Sequence, residues 1–217
     1  MYNFNYHCPS SLQEAESLYA KSEDPMFLAG GHTLLPTMKQ RLNAPTDLID
    51  LAGLTELAGI SREGDVLQIG AYTRHADVAA SELVQAAIPA LAKLARGIGD
   101  TQVRNRGTIG GSVANNDPAA DYPAALLGLG ATVVTTKRAV PADEFFVDMF
   151  ETVLEEGEII TAVTFPVKGD AEYIKFANPA SRYATVGVFI NRHNDGVRVA
   201  ITGAASSVFR CSEYEAA

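Results

Sequence analysis

The chain has 217 residues, of which 47% are hydrophobic and 20% are charged, a balance typical of a globular protein long enough to bury a core. Its formal net charge of -9 argues against nucleic-acid binding, because the phosphates would be repelled. Two cysteines provide neither a disulfide framework nor a Cys-x-x-Cys metal pattern, so we expect a reduced, cytoplasmic protein. The sequence contains no apolar run of the ~18 residues that span a bilayer, and its first residues lack the pattern of a signal peptide.

The first predicted unit, residues 1–56, alternates strand and helix patterns. Leu34, Leu35, Met38 and Leu42 form one apolar stripe of its second helix. The order β-α-β-α-β implies a small, largely parallel sheet. The predicted elements are a strand at 4–9, a helix at 10–22, a strand at 25–31, a helix at 32–42 and a strand at 46–51.

The second predicted unit, residues 57–167, has an α+β pattern. It opens with a hairpin whose turn is Glu63-Gly64-Asp65. A helix over Ser81–Ala95 follows, and we expect Pro89 to break or kink it. A short helix over Asp121–Leu129 precedes β-branched strands at 131–136 and 158–166.

The third predicted unit, residues 168–217, is rich in strand patterns. A strand at 171–177 is followed by two alternating strands that flank a turn at 193–196, where Asn-Asp-Gly is a strong hairpin signal. The last residues are typical of a starting helix. Because a lone hairpin is only marginally stable, we expect this unit to be a truncated domain or to depend on a partner.

The first of two glycine-rich motifs is AGGHTL, Ala29–Leu34, between a predicted strand and helix. Gly30 and Gly31 can adopt positive φ and expose main-chain N–H groups. The N-terminus of the following helix would favour an anion at the same place, and Thr33 adds a hydroxyl. The motif predicts a phosphate-binding site, although a simple tight turn between strand and helix would use the same residues. It matches neither the Rossmann nor the P-loop pattern.

The second motif is TIGGSVANND, Thr108–Asp117. It also predicts a loop with exposed main-chain N–H groups, the alternative being a bulged strand and a turn. Two such motifs on successive units, both lacking lysine, indicate a diphosphate held at the boundary between the units. The glycines are Gly110 and Gly111, the neutral donors are Thr108, Ser112 and Asn115, and Asp121 offers a carboxylate to a ribose hydroxyl.

The stretches AGGHTLLPTMKQRL and QVRNRGTIGGSVANNDPAADYPAALLGLGA, in this order, resemble the FAD-binding medium subunit of molybdenum hydroxylases. That family includes the carbon monoxide dehydrogenase medium chain and the flavin domain of xanthine dehydrogenase. The resemblance covers essentially the whole chain. It implies an α+β protein with an α/β-like first unit, in the two-part FAD-binding fold of the vanillyl-alcohol oxidase and p-cresol methylhydroxylase type. A β-rich C-terminal domain would follow, and in the family this domain runs further than it does here.

In that fold FAD would lie between the first two units. The resemblance implies that Ala29–Leu34 and Thr108–Gly111 hold its diphosphate and that Ile159 and Ile160 lie beside the adenine. Tyr183 would stack on the flavin ring, and Lys175 would lie near its pyrimidine end. The candidate cofactor-binding residues, from the motifs and the resemblance, are Ala29, Gly30, Gly31, His32, Thr33, Leu34, Thr108, Ile109, Gly110, Gly111, Ser112, Asn115, Asp121, Ile159, Ile160, Lys175 and Tyr183.

The function that the resemblance implies is electron transfer within a larger assembly. A large subunit would carry the molybdenum-pterin cofactor and a small subunit the iron–sulfur clusters. This chain would pass their electrons from FAD to an external acceptor such as NAD or a quinone, and would not act on substrate alone. Two other classes stay open. They are a stand-alone flavin oxidoreductase of the vanillyl-alcohol oxidase group and a relative that binds no cofactor.

The remaining reactive side chains indicate no second site. The histidines lack metal-ligand spacing, and we expect His75 and His193 at the surface. Cys8, beside a proline, is expected to be a buried small hydrophobic residue. The segment DEFFVDMFETVLEEGE is expected to pack its apolar residues on the core, the alternative being a patch for a partner subunit. Those apolar residues are Phe145, Phe146, Val147 and Phe150.

Overall fold

Three main sheets, each made from one continuous stretch of chain, form the framework of the computed structural model, which describes residues 1–216. Helices of the second stretch pack between the second and third sheets. The predicted third unit extends to Ala217, which lies outside the described residues. The mixture of helices and strands confirms the α+β class.

The first sheet is parallel throughout, as the alternating pattern predicts, and its third strand lies in the middle. Ser11 is the N-cap of the first helix, and its Oγ accepts a hydrogen bond from the Glu14 N–H at 3.2 Å. The elements are β1 (Asn5–His7), α1 (Leu12–Lys21), β2 (Pro25–Leu28), α2 (Leu34–Lys39) and β3 (Asp47–Asp50).

Helix α2 is shorter than predicted. Pro36 lies in its first turn, where a proline is tolerated. The chain leaves the helix at Arg41, which has a φ of 63° in the left-handed region. The expectation that Leu42 continues the apolar stripe is therefore wrong, and this side chain is 71% exposed.

The second sheet is antiparallel, in the order β4-β5-β10-β6-β7. The predicted hairpin is confirmed, with Gly64 and Asp65 between its strands. The predicted helix break is confirmed too, because Pro89 starts a new helix after Ile88. The elements are β4 (Ile60–Glu63), β5 (Val66–Gly70), α3 (His75–Ala80), α4 (Glu82–Ala87), α5 (Pro89–Arg96), α6 (Thr101–Arg104), α7 (Ile109–Asn115), α8 (Tyr122–Leu129), β6 (Thr132–Thr135), β7 (Ala139–Pro141), α9 (Ala142–Phe145), β8 (Phe146–Asp148), β9 (Glu151–Thr152) and β10 (Ile160–Pro166).

The third sheet is antiparallel and has four strands, one more than the three predicted for this unit. The turn between β12 and β13 lies at Asn194 and Asp195, as predicted. The order is β11-β12-β13-β14. The elements are β11 (Asp170–Ala177), β12 (Ala184–His193), β13 (Gly196–Thr202), β14 (Phe209–Arg210) and the short helix α10 (Ser212–Glu215).

The third sheet shares its core with the second unit. Every residue of α8 is buried, and strands β12 and β13 pack against this helix. Phe189 lies so close to Gly128 that a Cβ there would be 2.6 Å from its ring. At the end of α8, Arg198 Nε donates to the Leu127 carbonyl at 2.8 Å. The sheet is therefore stabilised by burial against α8.

Candidate functional site

The structure brings the two glycine motifs into direct contact. A Cβ on Gly30 would collide with the Arg106 carbonyl and lie 2.8 Å from the Gly107 Cα. A Cβ on Gly111 would lie 3.8 Å from the Cβ of Ala29. Glycine is thus required at position 30 for the two segments to approach this closely.

The two motifs line one open cleft of about 640 Å³. Residues of all three units contribute to its walls. Two of the predicted residues do not line it, because Ile109 is fully buried in the core and Lys175 lies behind Asp121. The predicted residues that do line it are Ala29, Gly30, Gly31, His32, Thr33, Leu34, Thr108, Gly110, Gly111, Ser112, Asn115, Asp121, Ile159, Ile160 and Tyr183.

The first motif carries unused main-chain donors. The N–H groups of residues 30–33 donate to no main-chain acceptor among residues 1–216. Gly31 has a φ of 75°, which a side chain would disfavour. Its carbonyl accepts from Leu35 N at 3.1 Å, so the segment is fixed while its N–H groups stay free. Consecutive free N–H groups at a cleft favour an anionic group.

The second motif differs from the expected loop, because both glycines lie in the first turn of α7. Thr108 caps this helix, and its Oγ1 accepts from Gly111 N at 3.2 Å. Ile109 N donates to Thr73 O at 3.1 Å and Gly110 N to Ala71 O at 2.9 Å. The expectation of free N–H groups at these three positions is therefore wrong, since the fold already uses them.

Packing explains why a glycine is needed at position 110. A Cβ on Gly110 would lie 2.6 Å from the Cβ of Ala71, so glycine lets α7 pack against the segment after β5. The second motif offers the cleft the side chains of Ser112, Asn115 and Asp117, all partly exposed in its wall.

Asp121 lies at the start of α8 and is 5% exposed. Tyr173 donates its hydroxyl to the carboxylate at 2.5 Å, and Lys175 Nζ lies 3.0 Å from each carboxylate oxygen. Lys175 also donates to the Gly97 carbonyl at 2.9 Å. Burial raises the pKa of Asp121, and the charge of Lys175 opposes that rise. Asp121 is thus the cleft end of a buried ion pair.

The wall that carries Ile159 and Ile160 is fixed by a buried carboxylate. Glu158 Oε1 accepts from Thr135 Oγ1 at 2.6 Å, and Arg138 Nη2 lies 3.1 Å from Oε2. Burial opposes ionisation of Glu158, but the hydrogen bonds from Arg138 and its other donors lower the pKa. The carboxylate therefore stays charged and holds this segment beside the first sheet.

Tyr183 lines the cleft from the loop between β11 and β12. Its side chain is 45% exposed, and burial with nearby Asp117 and Asp121 raises its pKa. Its carbonyl accepts from Asn178 N at 2.8 Å, which closes the loop. The phenol is therefore neutral at physiological pH and partly open to an occupant of the cleft.

Sequence reasoning missed two side chains of the wall. His75 was expected at the surface, but it is 4% exposed and lines the cleft, and burial lowers its pKa to about 4. Tyr72 lines the cleft and lies 3.5 Å from the Ala29 carbonyl. His75 packs against Gly107, which precedes the second motif: a Cβ there would be 2.6 Å from His75 Nε2.

Two further expectations are corrected outside the cleft. Cys8 is exposed and not buried. In the segment at 145–150, Phe145 is fully buried, whereas Val147 and Phe150 are 53% and 58% exposed. This exposure follows from the turn between β8 and β9, where Phe150 has a φ of 57°. Half of the segment therefore faces away from the core.

Within residues 1–216, no three or more histidine, cysteine or acidic side chains are grouped so as to hold a metal ion. The helices of the same range include none with the length and apolar character needed to traverse a bilayer.

Known proteins resemble this chain over most of its length. It is 39% identical to the carbon monoxide dehydrogenase medium chain of Hydrogenophaga pseudoflava, over 95% of this chain and 77% of that one. It is 34% identical to the glyceraldehyde dehydrogenase medium chain of Sulfolobus acidocaldarius, with coverages of 98% and 79%. The xanthine dehydrogenase FAD-binding subunit of Escherichia coli O157:H7 is 28% identical, with coverages of 99% and 79%.

Solved structures agree in fold. A carbon monoxide dehydrogenase from Hydrogenophaga pseudoflava, lacking the Mo-pyranopterin moiety, matches with a TM-score of 0.90 and 40% identity, over 96% of this chain and 77% of that chain. Quinoline 2-oxidoreductase from Pseudomonas putida 86 matches with a TM-score of 0.90 and 31% identity, with coverages of 96% and 76%. The expected two-part fold is thereby confirmed.

Residues 2–168 match the family described as the FAD binding domain in molybdopterin dehydrogenase. This range includes both glycine motifs and the whole second sheet. The chain belongs to this family of FAD-binding domains of molybdopterin dehydrogenases.

Proposed function

We propose that this chain is the FAD-binding electron-transfer subunit of a heteromeric molybdenum hydroxylase. It would take electrons from iron–sulfur clusters of a partner subunit and pass them to an external acceptor such as NAD or a quinone. The observation that carries the proposal is the convergence of two glycine motifs on one cleft in a chain of this family.

The cleft fits FAD in size and in chemistry. Its volume of about 640 Å³ lies within the usual range of cofactor sites, roughly 300–1,000 Å³. The free N–H groups of residues 30–33 suit a diphosphate, because they are consecutive and fixed. Apolar walls such as Ile159 and Leu57 suit flat aromatic rings.

We assign the candidate residues as follows. Ala29–Leu34 bind the diphosphate through main-chain N–H groups. Thr108–Gly111 lie beside the diphosphate, because the two motifs pack closely together. Ser112 and Asn115 add side-chain donors. The cofactor lies between the units at 1–56 and 57–167, and the unit at 168–217 contributes Tyr183 at the ring end.

When bound, FAD supplies the redox chemistry, since it can exchange electrons singly or in pairs. The chain's own residues hold and shield it. The neutral phenol of Tyr183 covers part of the cleft end. Lys175 acts through Asp121, because its ammonium group pairs with that carboxylate in the wall. The pairing neutralises the carboxylate, so this wall repels an anionic occupant less than an unpaired Asp121 would.

The names of the relatives indicate which partner subunits this chain has. Several are medium chains or medium subunits, including a nicotine 6-hydroxylase subunit of Paenarthrobacter nicotinovorans. We therefore infer a molybdenum-binding large subunit and an iron–sulfur small subunit. We further infer that the assembly is cytoplasmic and that the isolated chain does not act on the substrate.

The test is reconstitution with the cognate large and small subunits through a tag on this chain. We expect one complex containing molybdenum, iron and FAD, whose flavin absorbance bleaches when substrate is added. The isolated FAD-loaded chain should not bleach with the same substrate. Bleaching by the isolated chain would instead identify a stand-alone oxidoreductase, and a complex whose flavin stays oxidised would contradict the proposed electron transfer.

A further inference from the structure

A short segment between α7 and α8, residues 117–121, forms part of the cleft wall. Three of its residues line the cleft, namely Asp117, Ala120 and Asp121. The segment is a tight turn, because the Asp117 carboxylate accepts from Ala119 N at 2.8 Å and the Asp117 carbonyl accepts from Ala120 N at 2.9 Å. These bonds lie within the segment, so they set its shape and not its place in the wall.

The third unit supplies hydrogen bonds that hold this segment in place. Gly203 N donates to the Pro118 carbonyl at 2.8 Å, and Ala184 N donates to the Ala119 carbonyl at 3.3 Å. The carboxylate of Asp121 accepts from two side chains of the same unit. The position of this part of the cleft wall therefore depends on the third sheet.

The side chain of Thr202 adds a contact in the middle of the segment. Thr202 is the last residue of β13, is fully buried and does not line the cleft. Its Oγ1 lies 2.7 Å from the Ala120 carbonyl oxygen and 2.9 Å from the Pro118 carbonyl oxygen, so its one hydrogen can be donated to either. Without the hydroxyl, the buried carbonyl of Ala120 would lose this donor, which favours movement of the segment.

We propose that Thr202 is a positioning residue of the FAD site, which acts through the segment at 117–121 and does not touch the cofactor. The inference rests on the proposed function, because FAD is taken as the occupant of the cleft. It gives the third sheet a part in FAD binding beyond the residues that line the cleft. A merely structural threonine would instead change the stability of the protein and leave its affinity for FAD unchanged.

The hydroxyl and the methyl group of Thr202 can be removed separately. Thr202→Val keeps the branched shape and removes the hydroxyl, whereas Thr202→Ser keeps the hydroxyl and removes the methyl group. This methyl group packs on the neighbouring strand, because a Cβ on Gly187 would be 2.9 Å from its carbon. Thr202→Ser therefore loses packing while it keeps the hydrogen bond to the segment.

The test measures the FAD dissociation constant by quenching of flavin fluorescence and, separately, the melting temperature of the cofactor-free protein. The control is Thr164→Val, the same substitution in the second sheet, where Thr164 Oγ1 donates to the Thr132 carbonyl at 3.4 Å outside the cleft. If Thr202→Val does not fold, Thr202→Ala takes its place, and its comparison with Thr202→Ser again isolates the hydroxyl.

We expect Thr202→Val to weaken FAD binding about tenfold. Thr202→Ser should bind FAD within about threefold of wild type despite a lower melting temperature, and the control should keep wild-type affinity. Unchanged FAD affinity in Thr202→Val would overturn the inference, as would equal losses in Thr202→Val and Thr202→Ser. Failure of the wild-type chain to bind FAD would overturn the inference and the proposed function together, so the two failures are distinguishable.

Discussion

Gly30 and Gly64 show how differently two glycines depend on their surroundings. A Cβ on Gly30 would collide with the main chain of Arg106, whereas a Cβ on Gly64 would meet nothing within 4 Å. Gly64 needs its freedom only for a φ of 56° in the β4–β5 turn. The first glycine therefore sets the contact between the two motifs, and the second sets only a turn.

Gly30→Ala should lower stability by about 1–3 kcal/mol, because a packed main chain has to move, and it should abolish FAD binding by separating the motifs. Gly64→Ala should lower stability by roughly 1–2 kcal/mol, because alanine is strained in the left-handed region, but it should bind FAD as wild type does. Urea unfolding and FAD titration of both variants check this. Normal FAD binding by a folded Gly30→Ala protein would contradict the described contact.

The depressed pKa of His75 makes stability depend on pH. Its ordinary value of 6.5 in the unfolded chain falls to about 4 in the fold. Between these values the unfolded chain binds more protons, so the stability present above pH 6.5 is lost as the pH falls towards 4. We expect about 2 kcal/mol of loss from this group between pH 7 and pH 5.

Urea unfolding of cofactor-free wild type and His75→Leu at both pH values isolates this effect. The variant should show the smaller pH dependence, because all other titrating groups are shared. An equal dependence in both proteins would mean that the fold does not lower the pKa of His75.

Among the elements that sequence reasoning missed, helix α7 is the one that carries a predicted glycine motif. Adjacent glycines disfavour a helix, so Gly110 and Gly111 pointed to a loop. The helix forms because Thr108 caps it and because carbonyls from the segment after β5 take its first N–H groups. Those partners lie some 35 residues earlier in the chain, and no local pattern reveals them.

At the other end of α7, Asn116 fixes the β8–β9 hairpin. It is fully buried at a φ of 42°, and its Nδ2 donates to the carbonyls of Asp148 and Glu151, each at 2.8 Å. Asn116→Ala should destabilise the protein by about 3 kcal/mol, because two acceptors lose their donor and alanine disfavours this φ.

Urea unfolding measures this loss. Asn105→Ala is the matched control, because the hydrogen bond from the Asn105 side-chain amide to the Thr101 carbonyl is exposed. The control should lose no more than about 0.5 kcal/mol. Similar losses in the two variants would show that the hairpin is not held by Asn116.

Gly128 allows helix α8 to pack closely against Phe189 of the third sheet. Gly128→Ala should cost about 1–3 kcal/mol, since its Cβ would meet the Phe189 ring at 2.6 Å. In a Phe189→Leu background the same substitution should cost less, because the ring is gone. A double-mutant cycle by urea unfolding measures this coupling, and simple additivity would contradict the packing.

Over the whole molecule, the local elements were more predictable than their assembly. The parallel first sheet and both hairpins follow from alternation and from turn residues such as Gly64. The meeting of the two glycine motifs was expected from their occurrence on successive units and from the family resemblance, whereas the contacts between them depend on long-range packing. The burial of His75 could not be predicted, since it depends on Gly107 and Tyr122, which are distant in sequence.

The central claim is that the cleft between the two glycine motifs binds FAD, and Gly111→Val tests it most directly. A Cβ at this position would point between the motifs, meeting Thr108 Oγ1 at 3.0 Å and then Ala29. Ala139→Val, at an exposed strand position, is the control. In a FAD titration followed by flavin fluorescence, wild type and the control should bind, and Gly111→Val should bind at least about a hundredfold more weakly. Wild-type affinity in a folded Gly111→Val protein would contradict the account.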